Sequence, residues 1–93
     1  MFSVPRVNVI ESDEGFSVEV LGRTGLRYVE HGRTVRIDAE VLGGPGGLAI
    51  YTSSIRSWDP PHNGEEIDEN TKRRIVDNIR NALRFRGFEI DVF

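Results

Sequence analysis

The residues around His62 are the first in the sequence that could do acid–base or metal chemistry. Asp59, Glu65 and Glu66 lie within four positions of it, and a histidine with carboxylates can hold a metal ion or move a proton. Their spacing matches no zinc motif, and the calcium-loop pattern of oxygen ligands around a central glycine is absent. We therefore expect an exposed polar loop that holds no metal ion.

Nucleophilic chemistry has few candidates in this chain. Ser53, Ser54 and Ser57 precede His62, but no Gly-x-Ser-x-Gly elbow places a serine on a strained turn. The glycine run 43–47 lacks the Lys-Ser/Thr pair and the following helix of a phosphate loop. The absence of cysteine excludes thiolate catalysis. We expect no enzymatic activity and no cofactor, with a small enzyme acting through His62 as an alternative.

A basic stripe on a predicted helix suggests nucleic-acid binding as a second alternative. Arg73, Arg80 and Arg84 share this stripe, but Asp77 lies in its middle. The net charge of −3 repels a polyanion overall. We therefore expect a solvated helix face stabilised by intrahelical ion pairs, and we do not expect a nucleic-acid partner.

An aromatic and charged cluster before the helix is the strongest candidate for a binding surface. Tyrosine, tryptophan and arginine are the side chains that most often anchor protein interfaces, and the rigid Pro60-Pro61 pair presents them at low entropic cost. The alternative is that Trp58 folds back to cap the open end of the core, and the two roles can coexist. The predicted partner-binding residues are Tyr51, Arg56, Trp58, Asp59 and His62.

The elements that position this cluster begin with strands. Apolar and polar residues alternate strictly along much of residues 7–53, for example in Val35, Ile37 and Ala39, as is typical of strands with one buried face. Short turns rich in glycine separate the runs, which favours an antiparallel meander. The predicted strands lie near 7–12, 16–21, 26–30, 34–41 and 48–54, and the glycine run 43–47 is predicted to form a long hairpin tip or a wide bend.

One helix is predicted over 68–86. Asp68 is a good N-cap, Ile75, Ile79 and Leu83 form one apolar stripe, and Gly87 is suited to end the helix. Alternation resumes at 88–93 and predicts a final strand. The helix crossover allows that strand to lie parallel to a strand of the sheet. The alternative is an edge pairing with the N-terminal strand.

These patterns predict one α+β domain over residues 1–93, with a meander of about five strands packed on one helix. The lack of cysteine favours a reducing compartment. We see no signal peptide and no apolar run near the roughly 20 residues of a membrane span, so we expect a cytoplasmic protein without a membrane partner. An unpaired strand edge would allow a homodimer.

The C-terminal half also resembles a known family. The stretch GLAIYTSSIRSWDPP at 47–61, the segment KRRIVDNI at 72–79 and the Arg86-Gly87-Phe88 end are similar to the immunity protein 74 family. Members of that family are small bacterial proteins predicted to neutralise toxins of polymorphic or contact-dependent systems. The resemblance implies a cytoplasmic protein that binds and blocks a toxin partner, without catalysis or cofactor. It assigns no site residues.

Overall fold

The computed structural model describes residues 1–42 and 47–93 and confirms the α+β class. Most of the glycine run, residues 43–46, lies outside the described residues, so the hairpin predicted there stays a prediction. The described elements are β1 (Phe2–Arg6), β2 (Val9–Ser12), β3 (Phe16–Val20), β4 (Gly25–Glu30), β5 (Arg33–Val41), β6 (Gly47–Ile50), a short 3-10 helix (Thr52–Ser54), α1 (Glu69–Phe85) and β7 (Glu89–Val92).

The described strands form one sheet in sequence order, from β1 at one edge to β7 at the other. The first six are antiparallel neighbours, and β7 pairs with β6 in parallel, with Leu48 beside Ile90. The parallel crossover through α1 is therefore confirmed. The alternative pairing of the last strand with the N-terminal strand is wrong, because those two strands lie at opposite edges.

Two strand predictions need correction. The meander has six strands among the described residues, not five. The sequence pattern did not predict β1. Pro5 interrupts its pattern, but an edge strand tolerates a proline that lacks an amide donor. The strand predicted at 48–54 ends at Ile50, where the 3-10 helix follows. There the Ser54 hydroxyl donates to the carbonyl of Tyr51 at 2.6 Å, a local bond that competes with strand pairing.

The helix agrees with its prediction at both ends. Asp68 is the N-cap, and its Oδ1 accepts a hydrogen bond from the amide of Thr71 at 2.7 Å. At the other end, Gly87 adopts φ +86° while the amide of Phe88 donates to the carbonyl of Leu83 at 2.9 Å. These two features form a Schellman ending, which glycine favours because a side chain would be strained at that φ.

The core lies between the inner face of the sheet and the apolar stripe of α1. The stripe comprises Ile75, Ile79, Ala82 and Leu83, all buried. Each fully buried aliphatic side chain contributes about 1.5–3 kcal/mol. The sheet opposes the stripe with buried side chains that include Val18, Leu26, Tyr28, Val35, Ile37 and Ile50. Within the described part of the chain, no helix has the length and hydropathy to cross a membrane.

Candidate functional site

The segment that follows β6, residues 51–66, leaves the sheet and runs beside β5; we call it the edge segment. The amide of Tyr51 donates to the carbonyl of Asp38 at 3.0 Å, and the amide of Asp59 donates to the carbonyl of Thr34 at 2.7 Å. Since β6 pairs only with Ala39–Val41, these bonds cover the part of β5 that β6 leaves open. The edge segment therefore takes the place of a strand along half of β5.

A closed loop forms the second half of the edge segment. Ser57 and Glu66 form a β-bridge at its base, and the amide of Ile67 donates to the carbonyl of Arg56 at 2.9 Å. The side chain of Trp58 is only 6% exposed and joins the core with Ile67. Trp58 thus caps the core in the free chain, as the alternative interpretation expects, and its contact with a partner remains a prediction.

His62 belongs to a clamp between this loop and the start of β5. The guanidinium of Arg33 donates to Glu65 through Nη2 at 2.9 Å and through Nε at 3.2 Å, and His62 Nδ1 lies 2.9 Å from Glu65 Oε2. The hydrogen bond from Arg33 lowers the pKa of Glu65, which makes that carboxylate a weaker base. General-base catalysis calls for a pKa raised toward neutrality, so this geometry favours a structural role.

The residues near His62 that could bind a metal ion do not converge. Across residues 1–42 and 47–93, no three or more His, Asp or Glu side chains are placed to hold a metal ion. Asp59 uses its backbone to contact β5, and Glu65 uses its carboxylate to accept from Arg33. The carboxylate of Glu65 is thus engaged by Arg33 and His62.

Two of the predicted binding residues, Asp59 and Tyr51, lie next to β5 at separate points along the strand. Asp59 lies beside Thr34, and Tyr51 lies beside Asp38. Thr34 and Asp38 are four positions apart in β5, so the two contacts are separated by about 13 Å. The Tyr51 hydroxyl donates to Glu40 Oε2 at 2.8 Å, a bond that raises the pKa of Tyr51. Arg56 is exposed and donates through Nε to the carbonyl of Ser53. An elongated surface of this kind suits a macromolecule better than a small ligand.

A buried polar network that the sequence prediction missed connects α1 to β4. Glu30 accepts hydrogen bonds from Arg74 and from the hydroxyl of Tyr28, the latter at 2.7 Å, and Asn78 Nδ2 donates to that hydroxyl at 2.8 Å. Burial raises the pKa of the Tyr28 hydroxyl, which therefore stays a neutral donor. The signal in the sequence is a charged residue, Glu30, at an inward position of an alternating strand.

Two of the three arginines of the basic stripe form ion pairs, whereas Arg73 forms none among the described residues. Arg80 Nη1 lies 3.4 Å from Asp77 Oδ1, and Arg84 Nε lies 3.1 Å from Glu89 Oε1. Lys72 pairs with Glu69, and Arg74 pairs with Glu30. Guanidinium groups that are already paired must exchange partners before they neutralise phosphates, so the structure gives the nucleic-acid alternative no support.

Comparison with known proteins identifies one relationship. A family model described as Immunity protein 74 matches residues 17–93. The match begins in β3 and includes the edge segment, α1 and β7, so it extends beyond the C-terminal half in which the resemblance was noted. Searches of curated proteins and of solved structures found no match.

Proposed function

Because the chain belongs to the Immunity protein 74 family, we propose that it binds a bacterial toxin domain and blocks that toxin's activity in the cytoplasm of the cell that makes it. The family match over residues 17–93 is the observation that carries this proposal. In this role the protein acts by occupying a surface of the toxin, so it needs neither a catalytic residue nor a cofactor.

The ordered edge segment supports this proposal. The bridge between Ser57 and Glu66, the buried ring of Trp58 and the ion pair of Arg33 with Glu65 fix the loop before any partner arrives. A loop that is already ordered loses less conformational entropy on binding, so more of its contact energy appears as affinity.

We assign the toxin-contacting role to the exposed side of the edge segment. Arg56 is exposed, while Tyr51, Asp59 and His62 are partly exposed. In this arrangement Trp58 supports the surface from beneath, because its buried ring fixes the backbone between Arg56 and Asp59. Arginine and tyrosine combine apolar area with directed hydrogen bonds, which suits them to the centre of an interface.

The proposal is tested with the toxin domain encoded beside this gene. Expressed alone, that domain should arrest the growth of a bacterial host, and co-expression of this protein should restore growth. The two purified proteins should co-elute as one complex in size-exclusion chromatography. Ile79→Asp, which we expect not to fold, serves as the negative control. Growth arrest that persists with the folded wild-type protein present would contradict the proposal.

A further inference from the structure

The two edges of the sheet differ in how well they resist an added strand. At one edge, β1 contains Pro5 and changes register between Ser3 and Arg6. At the other edge, β7 pairs with β6 over four residues without a register shift and contains no proline. Prolines and bulges are devices that discourage edge pairing, so β7 is the edge that remains competent to accept another strand.

The backbone of β7 presents hydrogen-bonding groups on its open side. The amide of Phe93 donates to the carbonyl of Ile50 at 2.9 Å, and the carbonyl of Phe93 accepts from the amide of Thr52 at 2.8 Å, so residue 93 faces β6. Alternate residues of a parallel strand face the same neighbour. The amides and carbonyls of Ile90 and Val92 therefore point away from β6, and no strand among the described residues pairs with that side.

Exposed apolar side chains gather around the same strand. The alternation over residues 88–93 places Phe88, Ile90 and Val92 on one face. Ile90 is buried, whereas Phe88 is 44% exposed and Val92 is 38% exposed. Val92 and Val76 line a shallow groove between β7 and α1 together with Thr52, Glu69, Lys72 and Arg73. An added strand would cover the exposed part of Val92 as well as the open backbone groups.

Charge on the outer face of β7 selects between a second copy and a different partner. Within the described chain Asp91 has no ion-pair partner, and it lies in one cross-strand row with Ala49 and Glu40. An antiparallel pairing of two β7 strands that uses both Ile90 and Val92 places Asp91 opposite either Asp91 of the other copy or its Glu89, which pairs with Arg84. Like charges directly opposite each other destabilise a strand pair. The open edge of β7 therefore disfavours pairing with a second copy of this chain and favours a partner strand that carries lysine or arginine.

We infer that the open edge of β7 binds an extended segment of the toxin partner by strand addition. The segment carries lysine or arginine opposite Asp91, and its alternate apolar side chains cover Val92 and Val76. Main-chain hydrogen bonds to Ile90 and Val92 supply affinity, and the basic position supplies selectivity. This inference rests on the proposed toxin-binding function and names the chemistry of the partner.

The test compares two substitutions at one position. Val92→Pro removes the outward amide but no hydrogen bond to β6, whereas Val92→Thr keeps the amide and the side-chain shape. With the neighbouring toxin domain as the probe, calorimetry should show that the proline variant binds about tenfold or more weakly, and that the threonine variant loses less than about threefold. Asp91→Lys should also weaken binding about tenfold. Circular dichroism should show all three variants folded.

Hydrogen exchange supplies a measurement that does not depend on a variant. The amides of Ile90 and Val92 should exchange more slowly in the toxin complex than in the free protein. If the wild-type protein binds the toxin but these amides are not protected and Val92→Pro binds normally, the edge inference is wrong while the proposed function stands. If the wild-type protein does not bind, the proposed function itself fails. A free protein that is dimeric until Val92→Pro makes it monomeric would also overturn the inference.

Discussion

Arg74 of α1 donates through Nε to the carboxylate of Glu30 in β4 at 3.1 Å, and its Nη2 contacts the second carboxylate oxygen. The side chain of Glu30 is 9% exposed, whereas that of Arg74 is 53% exposed. The helix thus brings a charge from the protein surface to a carboxylate at the edge of the core. Of the ion pairs in the described residues, this one connects the helix to the central part of the sheet.

We expect Arg74→Ala to lower the free energy of unfolding by about 2 kcal/mol, because it leaves the buried carboxylate of Glu30 without its charged donor. Arg73→Ala is the matched control, since Arg73 is the neighbouring exposed residue and makes no ion pair in the described structure. Urea denaturation of both variants measures the difference. Equal stabilities would show that the pair contributes no more than a surface charge does.

The same carboxylate should make stability depend on pH. Burial raises the pKa of Glu30, but hydrogen bonds from Arg74 and Tyr28 lower it by more, so the net pKa is below the ordinary value of 4.5. Because the pKa of Glu30 is lower in the folded state than in the unfolded state, the ionised carboxylate stabilises the fold at pH values above 4.5. This stabilisation is lost as the pH falls through the folded-state pKa. The stability difference between wild type and Glu30→Gln should therefore shrink from pH 7 to pH 3, as urea denaturation can measure. A constant difference would contradict this.

The N-cap provides an independent measurement of helix stability. Asp68→Ala should lower the free energy of unfolding by about 1 kcal/mol, because it removes the side-chain acceptor of the Thr71 amide. Asp68→Asn keeps an acceptor oxygen and should lose less. Thermal melts followed by circular dichroism at 222 nm distinguish the two variants. A loss as large for asparagine as for alanine would mean that the charge, not the hydrogen bond, carries the effect.

Ile79 tests the placement of the apolar stripe. Its side chain is fully buried against the sheet, so Ile79→Asp should unfold the domain, because no partner is available there for a buried carboxylate. Asn81→Asp places the same group on the exposed side of α1 and should change stability by less than about 0.5 kcal/mol. Far-ultraviolet circular dichroism at 25 °C checks both. A folded Ile79→Asp protein would contradict the placement of the helix.

The helix could be predicted from the sequence because its determinants are local. Asp68 and Gly87 mark its ends, and the stripe fixes its buried face. The strand that β7 pairs with depends on where the chain rejoins the sheet after α1. Local patterns do not determine this, so the sequence left two alternatives. The contact of Glu30 with Arg74 could not be predicted, because it joins residues 44 positions apart and depends on how the helix crosses the sheet.

The candidate site was predictable in composition but not in shape. The sequence indicated Tyr51 and Trp58 as aromatic anchors, yet the burial of Trp58 depends on a loop that closes against Glu66 and returns to β5. Arg33 and Glu65 are 32 positions apart in the sequence, and no local pattern predicts their ion pair. Turn chemistry and alternation describe neighbours along the chain, whereas this surface is built from contacts between distant segments.

Arg56 offers the sharpest test of the proposed toxin-contacting surface. Its side chain is exposed and bonds only to the nearby Ser53 carbonyl in the described structure, so Arg56→Glu should leave thermal stability within about 0.5 kcal/mol of wild type. If Arg56 is an interface anchor, calorimetry should show about thirtyfold weaker toxin binding, equivalent to roughly 2 kcal/mol. Arg6→Glu makes the same charge change on β1, which three strands separate from β5, and should have little effect. Equal losses for both variants would indicate long-range electrostatics, so the contact surface would have to lie elsewhere.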